Sequence, residues 1–209
     1  MNPATINALR TAATLVVFTA IGTGLLAYTF EITKDQIALS EAQAQRDLIE
    51  QALPKQLYDN DVVHDVVQLA PTAELGTTFP SKAYRARLRG APTALVLEAI
   101  VPDGYSGKIK LLVAIQVDGT IAGVRVLAHS ETPGLGDYID SAKSAWIKQF
   151  DGATLGPSEA AWKVKKDGGR FDYMTGATIT PRAVIKAVHK ALRYYEQHGA
   201  AIFAQPIPH

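Results

Sequence analysis

Two hydroxyl side chains flank a glycine-alanine pair in DYMTGATIT (residues 172–180), directly ahead of a helix signal that opens with Pro181. The four residues Thr175, Gly176, Ala177 and Thr178 are small enough to let the backbone or phosphate of another molecule come close. A helix N-terminus offers unsatisfied N–H groups and the positive end of the helix dipole, so an anion is favoured there. A phosphate near Thr178 would need no lysine. The same string also reads as a plain turn with a Ser/Thr cap, and the residues alone leave both readings open. A second tight loop, HSETPGLGD (129–137), follows an apolar strand pattern. By itself it reads as a structural turn.

Other residue types exclude more than they suggest. The chain has no cysteine, which rules out disulfides, iron–sulfur clusters, thiol catalysis and cysteine zinc sites within it. Any redox chemistry must come from a bound organic cofactor or another subunit. His64, His129, His189, His198 and His209 show no metal-ligand spacing and form no triad pattern, so no metal and no catalytic residue is expected. His129 adjoins the second loop. The 21 basic and 20 acidic residues nearly cancel, unlike the clustered basic excess of nucleic-acid binders. Lys163, Lys165 and Lys166 form a short basic run that reads as a solvated loop.

The elements that must hold these loops are legible in outline. AYRARLR (83–89) alternates apolar and basic residues, the pattern of a half-exposed strand. TALVLEAIV (93–101) and KIKLLVAIQV (108–117) are apolar runs of the buried-strand type. Asp118-Gly119 is a hairpin signal, with IAGVRVLAH (121–129) as the return strand. VVHDVVQL (62–69) is a short candidate strand. SAKSAWIKQF (141–150) reads as a short helix. The last helix is expected to take Thr180 as N-cap and Pro181 as N1. Val184, Val188, Leu192 and Tyr195 would form its apolar stripe, with Gly199 at its C-cap end. The class is α+β: an antiparallel sheet with packed helices.

The N-terminus is different. Residues 11–30, TAATLVVFTAIGTGLLAYTF, carry no charge. At ~1.5 Å per residue they span the ~30 Å hydrocarbon core. The run is too long for a signal-peptide core, and Tyr28-Thr29-Phe30-Glu31 is a poor cleavage context, so a retained anchor is expected. Residues 31–53 read as a helical stalk ended by Pro54. Arg10 flanks the near side, with Glu31 and Asp35 against a lone Lys34 on the far side. The positive-inside rule then puts residues 1–10 in the cytoplasm and the rest outside it. The expected division is 1–10 cytoplasmic, 11–30 transmembrane, 31–80 stalk and connector, 81–200 extracytoplasmic domain and 201–209 tail.

DYMTGAT resembles the flavinylation motif Asp-x-x-(Ser/Thr)-Gly-Ala-Thr. In families that carry it, a separate flavin transferase esterifies the FMN phosphate to the last threonine, here Thr178. Asp172 takes the acidic position and would help the transferase engage the acceptor. Residues 104–136 resemble the core of FMN-binding domains with that motif. The resemblance implies that Glu131, Thr132, Gly134 and Leu135 line the flavin ring, with Thr175, Gly176 and Ala177 on the attachment side. Tyr105 and Trp146 are further candidates, though core packing is the plainer reading of each. Anchor, stalk, sheet, Glu-Thr-Pro-Gly-Leu-Gly loop, Thr-Gly-Ala-Thr and closing helix together resemble the RnfG family, which belongs to the Rnf ion-translocating electron transport complexes. The related NqrC-type components of the sodium-translocating NADH:quinone oxidoreductase share the flavin site but tend to be longer.

The expectation is therefore a single-pass subunit of the inner membrane, with its domain on the periplasmic side. It would carry covalent FMN and relay electrons between ferredoxin and NAD in a multi-subunit translocase. Its partners would be the other membrane and peripheral subunits and the flavin transferase, and no nucleic acid. The rival from another class is a membrane-tethered scaffold without cofactor.

Overall fold

The computed structural model describes residues 2–156 and 158–206, so His209 lies outside the described residues. The chain divides into two units, residues 1–44 and 45–209. Helix α1 (Pro3–Ala52) supplies all the described structure of the first unit. Among the described residues it is the one helix long and apolar enough to cross a membrane. Four of its threonines have partners for their hydroxyls. Thr11, Thr14, Thr29 and Thr33 each donate to the carbonyl four residues back, at 2.8–3.0 Å, as polar side chains in a hydrocarbon layer require.

The second unit is built on a five-stranded antiparallel meander in the order β1-β2-β3-β4-β5. The strands are β1 (Val66–Leu69), β2 (Ser81–Leu88), β3 (Ala91–Val101), β4 (Ile109–Gln116) and β5 (Ile121–Ala128). β3 and β4 read as continuous apolar runs because both faces of the sheet are covered. On one face lie Leu95, Leu97, Leu111, Val113 and Val124, against helix α2 (Ile179–Ala204) and an aromatic cluster of Trp146, Phe150, Trp162 and Phe171. On the other lie Tyr84, Val96, Leu112 and Ala114, against Ile49, Ala52 and Leu53. The hairpin turns at Asp118-Gly119 as expected. Gly119 takes φ +85°, and Asp118 Oδ1 accepts from Thr120 N at 2.9 Å.

Four expectations need correction. The compact unit takes in residues 45–80, which the sequence assigns to stalk and connector. Ile49, Leu53, Val62, Val67 and Leu75 are all buried, and Gly123 lets the end of α1 lie so close that a Cβ there would stand 2.5 Å from the Ala52 carbonyl oxygen. β2 is not half exposed. Arg85 is fully buried, paired with Asp65, which also holds Arg87 Nε at 2.9 Å. The 141–150 stretch is a helix only from Trp146 to Phe150, and there of 3-10 type. Asp140 Oδ1 accepts from Ala142 N at 2.9 Å and Ser144 Oγ from Trp146 N at 3.0 Å, so side chains compete with helical bonds. Finally, α2 starts earlier and ends later. Thr178 is the N-cap, Thr180 lies in the first turn, and Gly199 is interior. The ring of Tyr195 covers Gly199, where a Cβ would meet it at 2.8 Å. The Val184, Val188 and Leu192 stripe is buried as expected.

Candidate functional site

A cleft of about 310 Å³ opens at the N-terminus of α2. Three chain segments wall it. The first is the loop after β5, with Thr132, Leu135 and Gly136. The second is the turn into α2, from Gly176 to Thr180. Tyr105, in the β3–β4 connection, forms the third. Tyr105, Leu135 and Ile179 are exposed to 68%, 47% and 50%, so the mouth is apolar and unshielded. Exposed apolar surface gathered around a concave site marks a place where something binds.

Glu131 holds the three walls together. Its side chain is buried. Oε1 accepts from Ser106 N at 3.0 Å, and Oε2 accepts from the Thr180 hydroxyl. Gly136 sits directly against that junction, where a Cβ would stand 2.7 Å from Glu131 Oε2. Both carboxylate oxygens are therefore engaged by the protein, and Glu131 shapes the cleft that it lines. Its own N–H donates to His129 Nδ1 at 3.1 Å, which ties His129 to the same loop. The loop is closed by Asp137, whose Oδ1 accepts from Gly134 N at 2.8 Å. Gly134 takes φ +76° with open space beyond its missing Cβ.

The second wall begins as a tight turn. Ala177 N donates to Met174 O at 3.1 Å, and Gly176 at φ +91° occupies the position that needs a left-handed residue. Thr178 follows. It caps α2 by position only, because its φ and ψ of −93° and −18° are helical and its side chain makes no capping hydrogen bond. Its hydroxyl is thus not consumed by the fold. No lysine or arginine lines the cleft among the described residues, so the first turn of α2 is the source of positive potential there.

Four sequence candidates stand outside the cleft wall. Gly134 lies in the loop after β5 but not among the lining residues. Trp146 packs edge-on to Tyr138 and Phe150 in the aromatic cluster, and its Nε1 donates to Asp172 O at 2.7 Å. Thr175 is exposed and does not line the cleft. Asp172 is also exposed, in an ion pair with Lys165. Sequence reasoning does not pick out Tyr138, Gly136, Ile179 or Thr180 for the site. Tyr138 OH donates to Ala177 O and accepts from Met174 N, both at 3.4 Å. Burial pushes its pKa up to about 12, so the hydroxyl keeps its proton at neutral pH. Thr180 is hidden by the N-cap reading, Gly136 closes the Glu-Thr-Pro-Gly-Leu-Gly loop without being singled out, and Tyr138 and Ile179 carry no motif.

Comparison with known proteins agrees with this geometry. Residues 104–193 match the family model described as FMN-binding domain, and residues 1–52 match the RnfG N-terminal region. The cleft lies within the first of these matches. Proteins described as the G component of an ion-translocating oxidoreductase complex are similar over nearly the whole chain. That of Vibrio atlanticus is 47% identical over 194 residues, 92% of each chain. That of Pseudomonas aeruginosa is 47% identical over 197 residues, 94% of this chain and 92% of its own. That of Shewanella baltica is 47% identical over 194 residues, again 92% of each. The chain therefore belongs to the RnfG family of ion-translocating oxidoreductase complex components, with an FMN-binding domain at residues 104–193.

Proposed function

We propose that this protein carries FMN bound covalently through a phosphoester at Thr178, and that it relays electrons in a membrane complex of the ferredoxin:NAD type. The observation that carries the attachment is the state of Thr178. It sits at the N-cap of a 26-residue helix, beside the cleft, with a hydroxyl that the helix does not use. A phosphodiester retains one negative charge, which the helix N-terminus would stabilise. The residues present fit the group. Gly176 leaves open space in the cleft wall where a side chain would intrude, and Leu135, Tyr105 and Ile179 give apolar cover for a planar ring.

FMN supplies the electron-carrying chemistry when bound. The chain's own residues bind and orient. Glu131 fixes the distance between the loop wall and the helix wall. Thr132 and the loop backbone offer polar groups to the edge of a ring lying against Leu135. Asp172, held outside the cleft and exposed, is available to an approaching flavin transferase. The match of residues 1–52 to the RnfG N-terminal region supports this family over its quinone-reducing NqrC-type relative.

For orientation, the near flank of the span carries Arg10, and the far flank carries Lys34 next to Glu31 and Asp35. This bias supports a cytoplasmic N-terminus and a periplasmic domain in the inner membrane.

The test is denaturing gel fluorescence with intact mass, on full-length chain co-expressed with a flavin transferase. A fluorescent band heavier by one FMN less one water is expected, and it should vanish in Thr178→Val. A colourless, unshifted wild-type chain would favour a cofactor-free scaffold. Flavin retained in Thr178→Val would move the attachment, with Thr175 the next residue to test.

A further inference from the structure

Residues 172–177 belong to none of the five strands, yet their backbone is held at several points by side chains. Gln149 Oε1 accepts from Asp172 N at 2.7 Å, and Trp146 Nε1 donates to Asp172 O at 2.7 Å. Gln149 Nε2 in turn donates to Trp146 O at 3.1 Å. Both backbone polar groups of Asp172 are therefore taken by the one 3-10 helix Trp146–Phe150. Two residues on, the Tyr138 hydroxyl bridges Met174 N and Ala177 O. Tyr138 follows Leu135, Gly136 and Asp137 in the chain, in continuation of the segment that forms the opposite wall.

We infer that Gln149 and Tyr138 are positioning residues for the flavin attachment segment, fixing Thr178 over the cleft so that a tethered flavin ring stays seated. This inference rests on the attachment reading above. A phosphoester and a ribityl chain make a long flexible tether, so attachment alone restrains the ring little. The ring's seat is the space between the loop wall and the Gly176–Thr180 wall. Without the bonds from Gln149 and Tyr138, nothing in the sheet ladder holds that second wall ahead of Ala177. The motif's side chains are left alone by this arrangement. Asp172 and Thr175 face solvent, so access for a modifying enzyme does not depend on Gln149.

The experiment compares wild type, Gln149→Ala, Gln149→Glu and Tyr138→Phe as full-length chains in detergent, each co-expressed with a flavin transferase. Gln149 is half-buried and Tyr138→Phe removes one oxygen, so the fold should survive in all four. Flavin occupancy by mass should be equal. In Gln149→Ala, hydrogen exchange of peptides covering 172–178 should rise by about five-fold, the loss of one ordinary hydrogen bond. Its flavin fluorescence anisotropy should fall and its midpoint potential should move. Gln149→Glu should restore the exchange protection and the anisotropy, because a carboxylate oxygen still accepts from Asp172 N, while its charge and the lost donor to Trp146 O leave the potential displaced. Tyr138→Phe should show the same direction of change as Gln149→Ala. Faster exchange with unchanged anisotropy and potential would make the contacts merely structural and overturn the inference. Lower occupancy in Gln149→Ala would assign it to loading and also overturn it. A wild-type chain without covalent flavin would sink the attachment reading, and this inference with it.

Discussion

The two ends of helix α2 are finished in opposite ways. At the C-terminal end, Arg85 donates to Gln205 O at 2.5 Å, to Ile202 O at 3.3 Å and to Pro206 O at 3.3 Å, and Arg87 Nη2 donates to Phe203 O at 3.4 Å. Two guanidinium groups thus collect the terminal carbonyls, where the helix dipole is negative. Asp65 balances one of the two charges. At the N-terminal end, Thr178 makes no capping bond and Ile179 stands half in solvent. One end has its carbonyls taken up by guanidinium donors. The other keeps its hydroxyl and its N–H groups available. The proposed attachment site lies at the end where the fold leaves groups unpaired.

Variants can break this contrast in a graded way. The largest effect is expected from Arg85→Met, which leaves the helix carbonyls without their collector and Asp65 short of a partner. Breaking such a buried pair costs ~3–5 kcal/mol, to be read by denaturant unfolding of the full chain. Thr180→Val should cost about 1–3 kcal/mol, because Glu131 then keeps a buried carboxylate oxygen without its donor. Its flavin spectrum should shift as the cleft relaxes, and an unchanged spectrum would deny Glu131 its wall-setting role.

The middle of α2 offers a test of sign. His189 lies against the Trp162 ring, 5.2 Å between centroids. Burial is the first cause lowering its pKa from the ordinary 6.5. Its contribution is present above pH 6.5 and is lost as pH falls through the lowered folded value. Between pH 7 and 5, stability should therefore drop more in wild type than in His189→Phe, measured by thermal midpoint against pH. Smallest of all, Thr178→Val should change stability by no more than about 0.5 kcal/mol, while abolishing covalent flavin. A large loss of stability in that variant would mean that the hydroxyl has a structural role after all.

Much of this is legible in the chain. The strand runs, the Asp118-Gly119 hairpin and the apolar stripe of α2 follow from side-chain periodicity, which local sequence records directly. The two loops of the cleft can be picked out because glycine and small residues cluster there for steric reasons. Arg85 cannot be read correctly. Alternation with alanine at β2 looks like a solvated face, and only Asp65 and the α2 carbonyls, 20 and about 120 residues away, make burial of that charge tolerable. Trp146 is assignable to the ring pocket by type alone. Its distance from the cleft wall depends on the aromatic cluster that only packing assembles.

By itself, the sequence determined the apolar N-terminal helix, the α+β class and the absence of thiol chemistry, whereas Thr178 is singled out by the resemblance to the flavinylation motif. The first three depend on composition, spacing and local propensity. The tertiary structure decided which hydroxyl at the turn is spent and which is left over. Thr180 is consumed by Glu131, 49 residues away, and Thr178 is not consumed at all. No local rule distinguishes two threonines that stand two residues apart, because the partner that separates them arrives from another part of the chain.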